Sequence, residues 1–150
     1  AGLRDQFVAL LMSELDLRRA QAALPAPVWA QAGPEIQEHL AQGDTAVVVA
    51  YLGEAPTGGY AVRVRRVTVH WPEEGTEDEP VVTVTVARRR PTPDEFVIQA
   101  FTYPYDVVAL PKSKLPEEPF QTRFIADDGN PLDEDGASPT LRWLRPRFFD

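Results

Sequence analysis

Runs of apolar residues alternate along the chain with proline, glycine and charge, and their spacing assigns the elements. From Thr45 to Leu52 the sequence TAVVVAYL is apolar at almost every position, which marks a strand covered on both faces and therefore central in its sheet. In the residues that follow, Pro56 pre-sets φ for a turn, and Gly58 and Gly59 can take positive φ without a Cβ clash. Tyr60 restarts β-propensity, so residues 45–65 read as two antiparallel strands joined by a tight, glycine-dependent hairpin connection.

Beyond Tyr60 the alternation changes phase. Val62 and Val64 share one face, but the next apolar set is Val67, Val69 and Trp71. The strand that follows, from Val81 to Arg89, alternates without a break through Val82, Val84 and Val86, so it serves as a ruler for its neighbour. Pairing Val69 with Val82 and Val67 with Val84 brings Val64 opposite Val86 only if Arg65 and Arg66 together oppose Thr85. The spacing therefore predicts a β-bulge at Arg65-Arg66. It also predicts an outward cationic strip of Arg63, Arg65, Arg66 and Arg89, able to meet an acidic partner or to serve as a solvated face that discourages edge pairing.

Elsewhere the pattern is less regular. Leu3, Phe7, Val8, Leu10, Leu11 and Leu15 recur at helical spacing and predict an amphipathic helix over about residues 2–18. Pro34 and Glu35 suit the first turn of a short helix that Gly43 stops near Gln42. Residues 96–110 read as one long strand or a bent pair, bent at Pro104, which cannot donate to a ladder. Phe120–Ile125 and Leu141–Leu144 are short strands, and Phe148-Phe149 is an apolar end that either docks or serves a partner. The expected fold is mainly β: a single antiparallel, sandwich-like or partly open barrel domain of about six to eight strands, with an N-terminal amphipathic helix. The expected organisation is a helical segment at 1–43, a β core at 44–112 and an extension at 113–150, all in one globule.

Composition narrows the function. A chain of 150 residues fits one domain that buries roughly 68–70% of its unfolded surface. Its 15 prolines, about twice the usual share, argue against long helices. A net charge of −8 opposes phosphate binding and argues against nucleic acid as a partner. There is no cysteine, which excludes disulfides, thiolate metal sites and a cysteine nucleophile. No apolar run approaches the ~20 residues of a membrane span.

Chemistry-bearing groups are sparse. The two histidines, His39 and His70, and the three serines, Ser13, Ser113 and Ser138, form no nucleophile–base motif. The acidic stretches Glu73–Glu79 and Asp127–Gly136 lack the spacing that fixes calcium ligands, so no metal and no cofactor is expected. Carboxylates are plentiful enough for glycoside hydrolysis, but the acid-rich loops lack aromatic walls.

Two motifs carry a resemblance. Leu52-Gly53-Glu54-Ala55-Pro56-Thr57-Gly58-Gly59-Tyr60 resembles the hallmark turn of the PrcB C-terminal domain family. Gln99-Ala100-Phe101-Thr102-Tyr103-Pro104-Tyr105-Asp106-Val107-Val108-Ala109-Leu110-Pro111-Lys112 resembles the family's closing strand. Over roughly residues 45–112 the resemblance implies an extracytoplasmic accessory domain without catalysis of its own, since the family is named for an exported lipoprotein that associates with a surface protease. The expected partner is another protein, with a protease as the family's example. The expected binding surface is Pro56, Thr57, Gly58, Gly59 and Tyr60 with Tyr103, Pro104 and Tyr105, where exposed backbone meets rigid aromatics. The alternative is a carboxylate-based hydrolase or a carbohydrate-binding module.

Overall fold

A computed structural model describes residues 6–127. The expected strand at Leu141–Leu144, the end at Phe148-Phe149 and nearly all of the acidic run that begins at Asp127 lie outside the described residues, as do Leu3 and Asp5. Six strands and two helices follow in the order β1 (Phe7–Leu11), α1 (Glu14–Ala23), α2 (Ala26–Ala41), β2 (Thr45–Tyr51), β3 (Ala61–His70), β4 (Val81–Arg89), β5 (Tyr105–Pro111) and β6 (Gln121–Ala126). They make two three-stranded sheets, ordered β1-β2-β5 and β3-β4-β6. The protein is mainly β, sandwich-like and not closed into a barrel, as the pattern predicts.

β2 is central, with β1 on one side and β5 on the other, both antiparallel. Every residue from Ala46 to Tyr51 is buried. The reason lies in the layers: α2 packs on β2 and β5, while β3 of the second sheet approaches β2 and β5. One core therefore joins Val47, Val48 and Val49 to Val28 and Ile36 of α2 and to Val82, Val84 and Phe124 of the second sheet.

The amino-terminal segment differs from the expected helix over 2–18. Phe7–Leu11 is a strand with all five residues buried, and the first helix starts only at Glu14. Its boundary is set by Ser13, whose hydroxyl accepts from the Asp16 N–H at 3.2 Å, while the Asp16 carboxylate accepts from the Met12 N–H at 2.8 Å. The first bond satisfies a donor that the helix start otherwise leaves open, and the second ties the residue before the cap back to the first turn. α2 is also longer than expected. It begins at Ala26 with Pro27 in its first turn, and Pro34 lies in its interior rather than at its start.

The bulge stands where the phase change puts it. Val64 pairs with Val86, Arg66 with Thr85, Val67 with Val84 and Val69 with Val82, with the register shift between Val64 and Arg66. The hairpin expected between β2 and β3 does not form, because these strands belong to different sheets and their connection crosses from one to the other. The sheets are stitched beside the bulge, where the Val64 N–H donates to Asp106 Oδ2 of β5 at 2.8 Å. β6 completes the second sheet by lying parallel to β4, so the expected antiparallel arrangement does not extend to this pair.

Candidate functional site

The two motif segments lie side by side. Past the end of the β2–β5 ladder, Leu52 N–H donates to the Pro104 carbonyl at 3.0 Å, and Ala55 and Thr102 exchange bonds of 2.8 and 2.9 Å. Further on, the Gly58 N–H donates to the Ile98 carbonyl at 2.9 Å, and the Thr102 hydroxyl donates to the Thr57 carbonyl at 2.7 Å. Residues 52–58 and 98–104 thus continue the ladder as an irregular ribbon. The long strand expected over 96–110 is present only as β5, and its first half is the outer edge of this ribbon.

Of the expected binding residues, Pro56 is exposed, whereas Thr57, Gly58, Gly59, Tyr60, Tyr103, Pro104 and Tyr105 are half-buried. The backbone of the turn is occupied by its own chain rather than offered to a partner. Gly59 has φ of 88°, and its carbonyl accepts from Arg89 Nη1. Arg89 Nη2 also donates to Glu95 Oε1 at 2.7 Å, and the Thr92 N–H donates to the same oxygen at 3.2 Å. The bond from Arg89, joined by that from Thr92, holds the Glu95 carboxyl below its ordinary pKa. Arg89 therefore acts as a strut between the turn and the 91–95 loop. Arg63, Arg65 and Arg66 are exposed, and Arg63, Arg65 and Arg89 line a shallow groove of about 330 Å³ at that end of β3 and β4.

The tyrosines part company. The Tyr105 hydroxyl bonds Gln31 of α2 at 3.3 Å, fastening the ribbon to the helical layer. The Tyr103 hydroxyl donates to Glu54 Oε2 at 3.2 Å. That bond, with desolvation and the nearby carboxylate charge behind it, raises the Tyr103 pKa above its ordinary value. Tyr103 and Glu54 share a groove of about 480 Å³ with Tyr51 and with Ala22–Pro25, the junction of α1 and α2. Its volume lies within the range of ligand pockets.

Residues 46–111 match the family model PrcB C-terminal. The resemblance carried by the two motifs is thereby shown, and the matched stretch runs from the second residue of β2 to the last residue of β5. No curated protein and no solved structure matches the chain. Within the PrcB C-terminal stretch the signature pairs its own two halves, so glycine and threonine are there first of all for the ribbon.

Sequence reasoning missed Glu54, Glu95 and Asp106. Glu54 was visible inside the first motif, and Asp106 as the one carboxylate in the otherwise apolar run YDVVAL. Glu95 had no signal, because its partner Arg89 comes from the adjoining strand end. Among the described residues no three His, Cys, Asp or Glu side chains gather as a metal site. His39 Nε2 lies 3.6 Å from Glu35 Oε2, one helical turn away. No helix among the described residues is long and apolar enough to cross a membrane.

Proposed function

We propose that the protein is a non-catalytic, extracytoplasmic accessory domain that binds another protein through the groove beside Tyr103. The observation that carries this reading is the lining of that groove. Tyr51 and Glu54 come from the first half of the PrcB C-terminal stretch, Tyr103 from the second, and Ala22–Pro25 from the helical layer. A half-buried tyrosine whose hydroxyl is already oriented by a carboxylate offers a rigid apolar face with little rotamer entropy left to lose, the property of an interface anchor. The match to the PrcB C-terminal family supports a partner within a protein complex, and a protease is the partner class that the resemblance implies.

The test is affinity capture from the native source with wild type beside a Tyr103→Ala, Glu54→Ala variant whose folding is verified by circular dichroism. A specific partner held by wild type and lost by the folded variant supports the reading. Retention of every partner removes the groove from it, and turnover of a peptide or glycan library by wild type replaces binding with catalysis.

A further inference from the structure

Five large apolar side chains are exposed among the described residues, and three of them, Phe96, Ile98 and Phe101, come from one six-residue stretch. Phe96 is fully exposed at 102%, Ile98 is 72% exposed and Phe101 66%. The stretch is anchored from behind. Val97, between Phe96 and Ile98, faces inward, so close to Gly59 that a Cβ there would lie 2.8 Å from its Cγ1. Ile98 is held through its carbonyl by Gly58, and Glu95 by Arg89. The result is an apolar tip that protrudes from the end of the sandwich on a fixed base. A protrusion suits a medium it can enter, and exposed apolar clusters of this kind mark interaction sites.

Charge is distributed unevenly around this tip. The arginine groove of Arg63, Arg65 and Arg89 opens at its foot, and Arg66 continues the cationic face. Glu95 is neutralised by Arg89, while exposed Asp94 subtracts one charge. The loop joining β3 to β4 carries Glu73, Glu74, Glu77, Asp78 and Glu79 beyond the far end of those strands, which at about 3.3 Å per extended residue lies about 13 Å along β3 from Arg66 and about 23 Å from Arg63. That separation exceeds a Debye length of about 8–10 Å, so the arginines act on a nearby surface despite the net charge of −8. Trp71, also exposed, stands at the acidic end apart from the trio.

We infer that the 96–101 tip is a peripheral membrane-docking element. It inserts Phe96 and Ile98 into the interfacial region of an anionic bilayer while Arg63, Arg65 and Arg66 meet the lipid headgroups, with the acidic loop directed away. Apolar insertion supplies binding, and the cationic face supplies the preference for anionic lipid. The inference is independent of the groove beside Tyr103, which lies on another part of the ribbon, so either can fail alone.

The experiment is cosedimentation of the full chain with phosphatidylcholine vesicles, with and without phosphatidylglycerol, at low and physiological salt. Binding is expected to the anionic vesicles and to weaken with salt. Phe96→Ser with Ile98→Ser should lower it about tenfold or more, and neutralising Arg63, Arg65 and Arg66 with glutamine should lower it about fivefold per arginine. Because the chain has no cysteine, Phe96→Cys and Glu77→Cys each take a single polarity-sensitive label. A blue shift on vesicle addition is expected at 96 and not at 77. The inference is overturned by absence of binding to anionic vesicles, by equal binding to neutral ones, or by a shift at 77 alone. It is equally overturned if the serine variant binds as wild type, or if binding is lost only on changing Trp143, Phe148 and Phe149 to serine, which would assign it to the end of the chain. A concentration-dependent dimer abolished by the serine variant, without vesicle binding, would make a second copy the occupant instead.

Discussion

The connection between β2 and β3 and the one between β3 and β4 use the same turn residues, a proline three positions before a glycine at positive φ. Pro56 precedes Gly59 at φ 88°, and Pro72 precedes Gly75 at φ 86°. Their surroundings differ. The first connection is bonded to residues 89, 98 and 102, far away in sequence, and a Cβ on Gly59 would lie 2.8 Å from both Pro91 Cβ and Val97 Cγ1. Within the second, the bonds of Thr76 reach only to Glu73, and a Cβ on Gly75 would meet nothing within 4 Å. Equal backbone demands therefore carry unequal structural weight, and the weight comes from what has been packed against the turn.

That contrast can be broken most directly at Gly59. Gly59→Ala combines a left-handed backbone with a steric collision and should cost about 2–4 kcal/mol in urea unfolding at unchanged m-value. A loss no larger than that of Gly75→Ala would end the distinction. Next in size, Thr102→Val keeps the branched shape but leaves the half-buried Thr57 carbonyl without its 2.7 Å donor, a cost of about 1–2 kcal/mol. Gly75→Ala should cost about 1 kcal/mol or less, from φ alone.

The smallest effect is read in pH. Glu95 has a folded pKa below its ordinary 4.5, so its contribution is present above that value and is lost as pH falls through the lowered folded one. Wild type and Glu95→Gln should therefore converge in stability on acidification through that window. A gap that stays constant would show that the Arg89–Glu95 pair does not couple to folding.

What was legible in the chain follows the same division. The bulge could be placed to the residue because β4 alternates unbroken and its partner is nearby, so two local patterns sufficed. The coverage of β2 was legible from its continuous apolar run, but its partners were not, since β1 and β5 lie far from it in sequence. Phe7–Leu11 misled because its apolar residues satisfy helical spacing and a buried strand equally, and only the cap at Ser13 separates the two. Phe96 and Ile98 alternate as strand residues do, yet the segment forms no regular strand and joins its neighbour only as an irregular ribbon, and that depends on partners rather than on spacing. For the site, both motifs were visible and their pairing was not. The groove beside Tyr103 needs the α1–α2 junction, which no motif announces.

The chain visits the two sheets in turn: β1 and β2 in the first, β3 and β4 in the second, β5 back in the first and β6 in the second. During synthesis this order imposes a delay. β2 waits for β5 more than fifty residues later, and β4 waits for Gln121–Ala126, so the first sheet is complete only when Pro111 has emerged and the second only at residue 126. Until its last partner emerges, the central strand of each sheet keeps an open edge, and the pairings still to come span long loops, the kind that closes slowly. Assembly is therefore a late and nearly simultaneous event. A fragment limited to residues 46–111 would remain permanently at the stage before it, with β1 and β6 missing from the flanks of its two most buried strands.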